Sequence, residues 1–173
     1  MDSQALLSWF DANERDLPWR RPGTSAWGVL LSEVMSQQTP VARVAPIWQE
    51  WLERWPTPSD LAAAAPGEAV RHWGRLGYPR RALRLHDAAV TMVERHGGEV
   101  PSTHDDLLAL PGVGPWSVGY IRMRALGDPD VLLGSDLGVR KALEALTADT
   151  GPRGLPDLDR ARPLPHAPLG ARI

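Results

Sequence analysis

The stretch Leu107-Leu108-Ala109-Leu110-Pro111-Gly112-Val113-Gly114-Pro115-Trp116 decides what kind of chain this is. Its apolar residues end a short helix, and two glycines around one β-branched valine allow a tight turn with backbone angles that side chains oppose. A further helix begins at Trp116 and presents free backbone N–H groups at its positive end. The combination reads as two helices joined by a hairpin whose amides hold DNA phosphates without reading sequence. A plain glycine turn between packed helices is the alternative for the Gly-Val-Gly string alone; the apolar helix before it and the helix after it favour the phosphate clamp.

Outward from this hairpin the apolar spacing is helical nearly everywhere, with no convincing strand alternation, so the expected fold class is all-α. Ser3 caps a helix to about Asn13, and Leu6, Leu7, Trp9 and Phe10 form its apolar stripe. Pro18, Pro22 and Gly23 predict a loop. Helices are expected over about Trp27 to Gln38, from Pro40 to Trp55, briefly near Leu61 and Val70, from about Arg80 to His96 before Gly97-Gly98, over Asp105 to Leu110, and over Leu137 to Leu146. Beyond Thr150 five prolines and the absence of aromatic residues predict a disordered tail, residues 150–173.

Composition narrows the chemistry. The chain has 173 residues, 43% of them hydrophobic, enough for a packed core and consistent with one domain or one compact two-lobed unit. No apolar run approaches the roughly 20 residues of a membrane helix and the first residues do not read as a secretory signal, so a soluble cytoplasmic protein is expected. With Cys at 0, these residues can form no disulfide, thiolate zinc site, iron–sulfur cluster or cysteine nucleophile. A formal net charge of −2 excludes a polycation, so contact with nucleic acid must come from local patches. One such patch runs from Arg71 to His86 and includes Arg75, Arg80, Arg81 and Arg84; a solvated helix face is its competing explanation.

Two further segments carry candidate chemistry. In the helix from Trp27, Glu33 shares a face with Val29, Leu30 and Gln37, so its carboxyl sits among apolar neighbours. Desolvation there would raise its pKa, as a general acid requires; a solvated surface glutamate is the alternative. Gln37, Gln38 and Thr39 follow, three uncharged hydrogen-bonding side chains at a helix end that suit contact with base edges. In Gly134-Ser135-Asp136-Leu137-Gly138-Val139-Arg140-Lys141, Asp136 reads as an N-cap and also as a carboxylate able to stabilise a sugar cation or orient water.

The segments Leu17-Pro18-Trp19-Arg20, Ser32 to Val44, Trp73-Gly74-Arg75-Leu76-Gly77-Tyr78 and Leu110 to Gly114 together resemble the A/G-specific adenine DNA glycosylases of the helix-hairpin-helix superfamily, over roughly residues 5 to 114. From Pro115 onward, Pro115-Trp116-Ser117, Tyr120 to Gly127 and Ser135 to Leu143 are more similar to the 3-methyladenine glycosylases of the same superfamily. The resemblance implies Glu33 as the acid that protonates adenine and Asp136 as the aspartate that stabilises the sugar cation. It implies Gln38 and Tyr78 as wedges in the base stack, Leu76 and Thr39 beside the partner base, and Arg15 and Trp19 in the adenine pocket. Trp116 and Tyr120 match the aromatic cleft of the alkylpurine relatives, while Gln37, Pro111, Gly112, Val113, Gly114 and Trp116 complete the DNA-binding set. Trp116 also stands where bifunctional relatives carry a Schiff-base lysine, so the resemblance implies a monofunctional enzyme.

The departures are as informative. Adenine glycosylases of this type usually hold an iron–sulfur cluster on four cysteines and carry a domain that reads 8-oxoguanine; neither is found in this sequence, and no cofactor is expected. Superfamily members also continue past the aspartate helix with helices that pack on the N-terminal one, so the fold expected here is a C-terminally incomplete helix-hairpin-helix glycosylase. It would occupy residues 1–149, with one lobe over about 27–126 and a second from 1–20 and 136–149. The expected function is excision of a purine, adenine opposite guanine or 8-oxoguanine, from double-stranded DNA by a monomer. The alternatives are an alkylpurine glycosylase and a catalytically inactive DNA-binding fragment.

Overall fold

Ser25 starts the central helix: its hydroxyl accepts a hydrogen bond from the Gly28 amide at 3.1 Å, satisfying one of the orphan donors of a helix N-terminus. In the computed structural model, which describes residues 3–128 with Val131 and Lys141, the elements run in a helical series. They are α1 (Ser3–Asn13), a 3₁₀ turn (Pro18–Arg20), α2 (Ala26–Ser36), α3 (Val41–Arg54), α4 (Pro58–Ala63), α5 (Pro66–His72), α6 (Arg80–His96), α7 (His104–Leu108) and α8 (Pro115–Ala125). Among the described residues there is no strand.

Helix α2 is apolar on almost every side and is accordingly buried over Trp27–Ser32, Val34 and Met35. It packs between α3 and α8, while α4 and α5 lie on α6. The facing surfaces follow helical spacing: α3 buries Val44, Trp48 and Trp51, and α6 buries Ala82, Leu85, Ala89 and Met92. Tryptophan fills much of the core, and its polar edge needs a partner there. The indoles of Trp27, Trp48, Trp51 and Trp73 donate to the carbonyls of Trp55, Gly28, His72 and Gly77 at 3.1, 2.7, 2.9 and 2.8 Å.

Several helix boundaries differ from expectation: α7 spans His104–Leu108 instead of Asp105 to Leu110, and α8 begins at Pro115, one residue early. Pro18–Arg20 forms a 3₁₀ turn rather than an open loop. Helix α2 ends at Ser36, before Gln38, because Thr39 precedes a proline and the chain must leave the helical region ahead of it. Gly97, at φ +63°, closes α6 in the left-handed conformation where the Gly-Gly stop is expected. On α1, Leu7, Trp9 and Phe10 are 57, 62 and 44% exposed, so these three side chains lie open. The helix expected over 137–146, the second-lobe segment 136–149 and the tail 150–173 lie outside the described residues.

Candidate active site

Glu33 leaves α2 on the side that meets α8. Its carboxyl is half-buried, and Ser117, itself 3% exposed on the first turn of α8, donates its hydroxyl to Glu33 Oε1 at 2.9 Å. Burial raises the Glu33 pKa by penalising the charged form, and the Ser117 hydrogen bond lowers it less. The result is a carboxyl held in one orientation and biased toward keeping its proton.

Four residues further on, at the C-cap of α2, Gln37 reaches the hairpin. Its Nε2 approaches the Gly112 carbonyl at 3.5 Å, the outer edge of a hydrogen bond. Gly112 has φ +84°, and a Cβ built on it would lie 3.1 Å from the Cβ of Arg84 on α6. Glycine is therefore required twice, for its backbone angle and for the close approach of α6. Val113 fills the inside of the turn and is 8% exposed, Pro111 and Gly114 are half-buried, and Pro115 begins α8. The hairpin, the end of α2 and the start of α6 thus form one continuous surface.

On that surface two non-glycine residues have positive φ, Gln38 at 55° and Tyr78 at 49°. Both are exposed, Tyr78 by 64%, and both line a cavity of about 300 Å³ shared with Gln37, Arg80, Arg81 and Arg84. Left-handed backbone at a non-glycine residue costs on the order of 1–3 kcal/mol and persists only where the surroundings hold it. Leu76 and Thr39, which the resemblance places beside the partner base, have buried side chains. They are 3 and 8% exposed, and Thr39 Oγ1 donates to the Leu76 carbonyl at 3.2 Å, tying the two loops together from inside.

Trp19 also departs from its expected place: it is 5% exposed and packs edge-on to Trp48 with ring centroids 5.8 Å apart, so it is a core side chain and offers little area to a base. Arg15 is exposed and borders a separate cavity of about 180 Å³ with Glu14, Arg20 and Arg124. Trp116 and Tyr120, four apart on α8, are half-buried on a common stripe. Asp136 lies outside the described residues.

The arginine-rich segment does not form one basic face. Arg71 pairs with Glu68, His72 lies 2.6 Å from Glu50, and Arg81 and His86 are 6% exposed inside the fold. Arg75, Arg80 and Arg84 remain exposed. Sequence reading missed the role of Ser117, which looks like any polar residue in a first helical turn, and grouped Arg81 with the candidate surface patch because it is indistinguishable by type from its exposed neighbours. No cluster of three or more His, Asp or Glu side chains able to hold a metal occurs among the described residues. The iron–sulfur cluster usual in the resembled family needs thiolates, and these 173 residues contain Cys 0, so the donor set does not fit that group.

The sequence pattern of the HhH-GPD superfamily of base excision DNA repair proteins matches residues 31–153, and the chain belongs to that superfamily. Within it, the adenine DNA glycosylase of Mycolicibacterium smegmatis is 60% identical over 112 residues, covering 65% of this chain and 38% of the relative. The adenine DNA glycosylase of Mycobacterium tuberculosis is 42% identical over 155 residues, covering 90% of this chain and 50% of the relative. The chain therefore spans half or less of the length of these relatives. A solved thermostable thymine-DNA glycosylase superposes with a TM-score of 0.67 at 24% identity, over 72% of this chain and 57% of that one, which bears on the fold. No helix among the described residues is long and apolar enough to cross a membrane.

Proposed function

We propose that the chain is a monofunctional DNA glycosylase that extrudes adenine mispaired with guanine or 8-oxoguanine from duplex DNA and hydrolyses its N-glycosidic bond. The observation that carries this reading is the Glu33–Ser117 pair at 2.9 Å, a desolvated carboxyl one helical turn from the hairpin. In the reaction, Glu33 gives its proton to a ring nitrogen of the extruded base. The C1′–N9 bond then breaks with its electron pair leaving on adenine, and positive charge grows on the deoxyribose. Asp136 is assigned the stabilisation of that charge. Water adds to C1′ and gives up a proton that restores the Glu33 carboxyl, leaving an abasic site and free adenine. Hairpin amides of 112–114 hold the phosphate backbone, Gln38 and Tyr78 enter the stack, and Arg15, Trp116 and Tyr120 border the extruded base. No step calls on a cofactor, and the working form is a monomer on cytoplasmic, nucleoid-associated DNA.

The half-buried Trp116 and Tyr120 stripe favours a second reading, an alkylpurine glycosylase that sandwiches an already cationic base. The test incubates the purified chain with duplexes carrying adenine opposite 8-oxoguanine, adenine opposite guanine, hypoxanthine or 3-methyladenine, followed by alkaline cleavage of abasic sites. Cleavage at adenine supports the first reading and cleavage only at the alkylated or deaminated bases supports the second. Duplex binding without any cleavage leaves a binding module and overturns both.

A further inference from the structure

We infer that Arg81 is a positioning residue whose guanidinium sets Gln38 and Tyr78 at the spacing with which this surface enters a base stack. The inference rests on the glycosylase reading and assigns that site a part played from beneath it.

Arg81 is 6% exposed at the start of α6, and its hydrogen-bonding acceptors are neutral. Nη1 donates to the carbonyls of Val34, Met35 and Gln37 at 3.1, 3.0 and 2.6 Å. Nη2 donates to Thr39 Oγ1 at 2.9 Å and to the carbonyls of Leu76 and Gly77, both at 3.1 Å. One nitrogen thus takes last-turn carbonyls and the C-cap carbonyl of α2, where helix partial charge is negative, and the other takes the loop before Tyr78. Residues on either side of Gln38 are bound by the two branches of the fork, and the residues preceding Tyr78 by the second of them. The guanidinium lies 5.2 Å from the Trp73 ring centre and 5.6 Å from that of Tyr78, and the Trp73 indole donates to the Gly77 carbonyl as well.

Both strained residues therefore hang from a single planar group, about 40 positions away in sequence from one of them and three from the other. A buried cation whose hydrogen-bond acceptors are all neutral is an expensive way to close a loop, since burial disfavours its charge. An apolar side chain would leave the carbonyls of Gln37 and Leu76 without this donor, and a single donor would reach only one of the two loops, so what the fork adds is a fixed spacing between them. Exposed Tyr78 and Gln38 flank the cavity by the hairpin, where an aromatic face and an amide are suited to enter a duplex and replace a displaced base. Lysine keeps the charge at this position but has one nitrogen and no fork, so it can serve one loop and not both.

The test compares the full chain with Arg81→Lys and Arg81→Met, reading thermal unfolding, duplex affinity, 2-aminopurine fluorescence at the target position and single-turnover adenine release. Arg81→Lys is expected to fold and to bind duplex normally. Its extrusion signal and release rate should fall together by about 10- to 100-fold, the scale of a misplacement by about 1 Å. Arg81→Lys that is folded yet extrudes and releases base at the wild-type rate overturns the inference. Should both Arg81 variants fail to fold, Thr39→Val and Thr39→Ser decide, since only serine keeps the hydroxyl that Nη2 uses. A slower extrusion in the valine variant restored by serine supports the inference, and equal extrusion in the two overturns it. A wild-type chain that extrudes without releasing adenine leaves the fluorescence comparison intact; one that does neither removes the glycosylase reading, and the inference with it.

Discussion

Replacing Glu33 by Gln separates the chemistry of this site from its packing. The amide has the shape of the carboxyl, and the Ser117 hydroxyl can donate to its carbonyl oxygen as it does to Glu33 Oε1 at 2.9 Å. The pair stays bonded, so fold and DNA grip should be retained. What disappears is the transferable proton, and loss of a positioned general acid lowers the rate by about 100- to 10,000-fold, or about 2.7–5.5 kcal/mol of barrier.

The same substitution has a stability signature of definite sign. Burial holds the folded pKa of Glu33 above its unfolded value, so the folded protein binds this proton more tightly than the unfolded chain. The stabilisation is complete below the unfolded pKa and is lost as pH rises through the folded pKa. Glutamine does not titrate. The stability of Glu33→Gln relative to wild type should therefore climb across that window and level off above it, alongside the slower turnover. Single-turnover adenine release, anisotropy with an undamaged duplex and urea unfolding at several pH values measure the three quantities. Unchanged turnover, or a rate loss matched by an equal loss of duplex affinity, refutes the assignment of Glu33 as the acid.

Three further outcomes follow from the same surface. Ser117→Ala removes the hydrogen bond that lowers the Glu33 pKa, so burial acts unopposed and the alkaline limb of the pH–rate profile should move to higher pH; movement to lower pH contradicts the pairing. Gly112→Ala places a Cβ 3.1 Å from Arg84 Cβ at φ +84°, and left-handed backbone alone costs about 1–2 kcal/mol, so the variant should unfold at lower urea and grip duplex less tightly. An alanine there that binds and unfolds like wild type removes the hairpin from the interface. Arg80→Ala with Arg84→Ala should flatten the salt dependence of duplex binding by about 0.9 in slope for each phosphate left without its arginine, whereas Arg71→Ala, whose charge already pairs with Glu68, should leave it unaltered.

The parts of this architecture that were legible in sequence are those where one residue type permits one answer. Gly112 between Pro111 and Val113 announces a turn because side chains oppose that angle, and Gly97-Gly98 ends α6 for the same reason. Glu33 was readable because three-and-four spacing places it among apolar residues of its own helix. Partners across the fold were not. Ser117 is 84 positions from Glu33, and nothing local distinguishes its hydroxyl from that of a helix-start serine. Arg81 sits in a run of arginines whose neighbours Arg80 and Arg84 face solvent, and only the register of α6 against the end of α2 sends this one inward. Trp19 misled in the opposite sense: the family resemblance implies a place in the adenine pocket, yet Trp48 on α3 claims its ring.

The site and the core are coupled through backbone carbonyls. Strained backbone at Gln38 and Tyr78 would relax if the loops carrying it were merely solvated, because an alternative left with the same hydrogen bonds to water is always available. Here the carbonyls around each strained residue are taken from inside: Gly77 by the Trp73 indole at 2.8 Å, and Leu76 and Gln37 by Arg81. Trp73 is 1% exposed and stacks edge-on to Trp51, which is fully buried, so the donors cannot move without disturbing the centre of the fold. Close packing makes that centre stiff, and the stiffness passes through the donors to the two exposed residues. On the proposed reading this surface pushes into stacked bases and has to resist being pushed back, and the tryptophan core, rather than the loops themselves, is what holds its strained backbone.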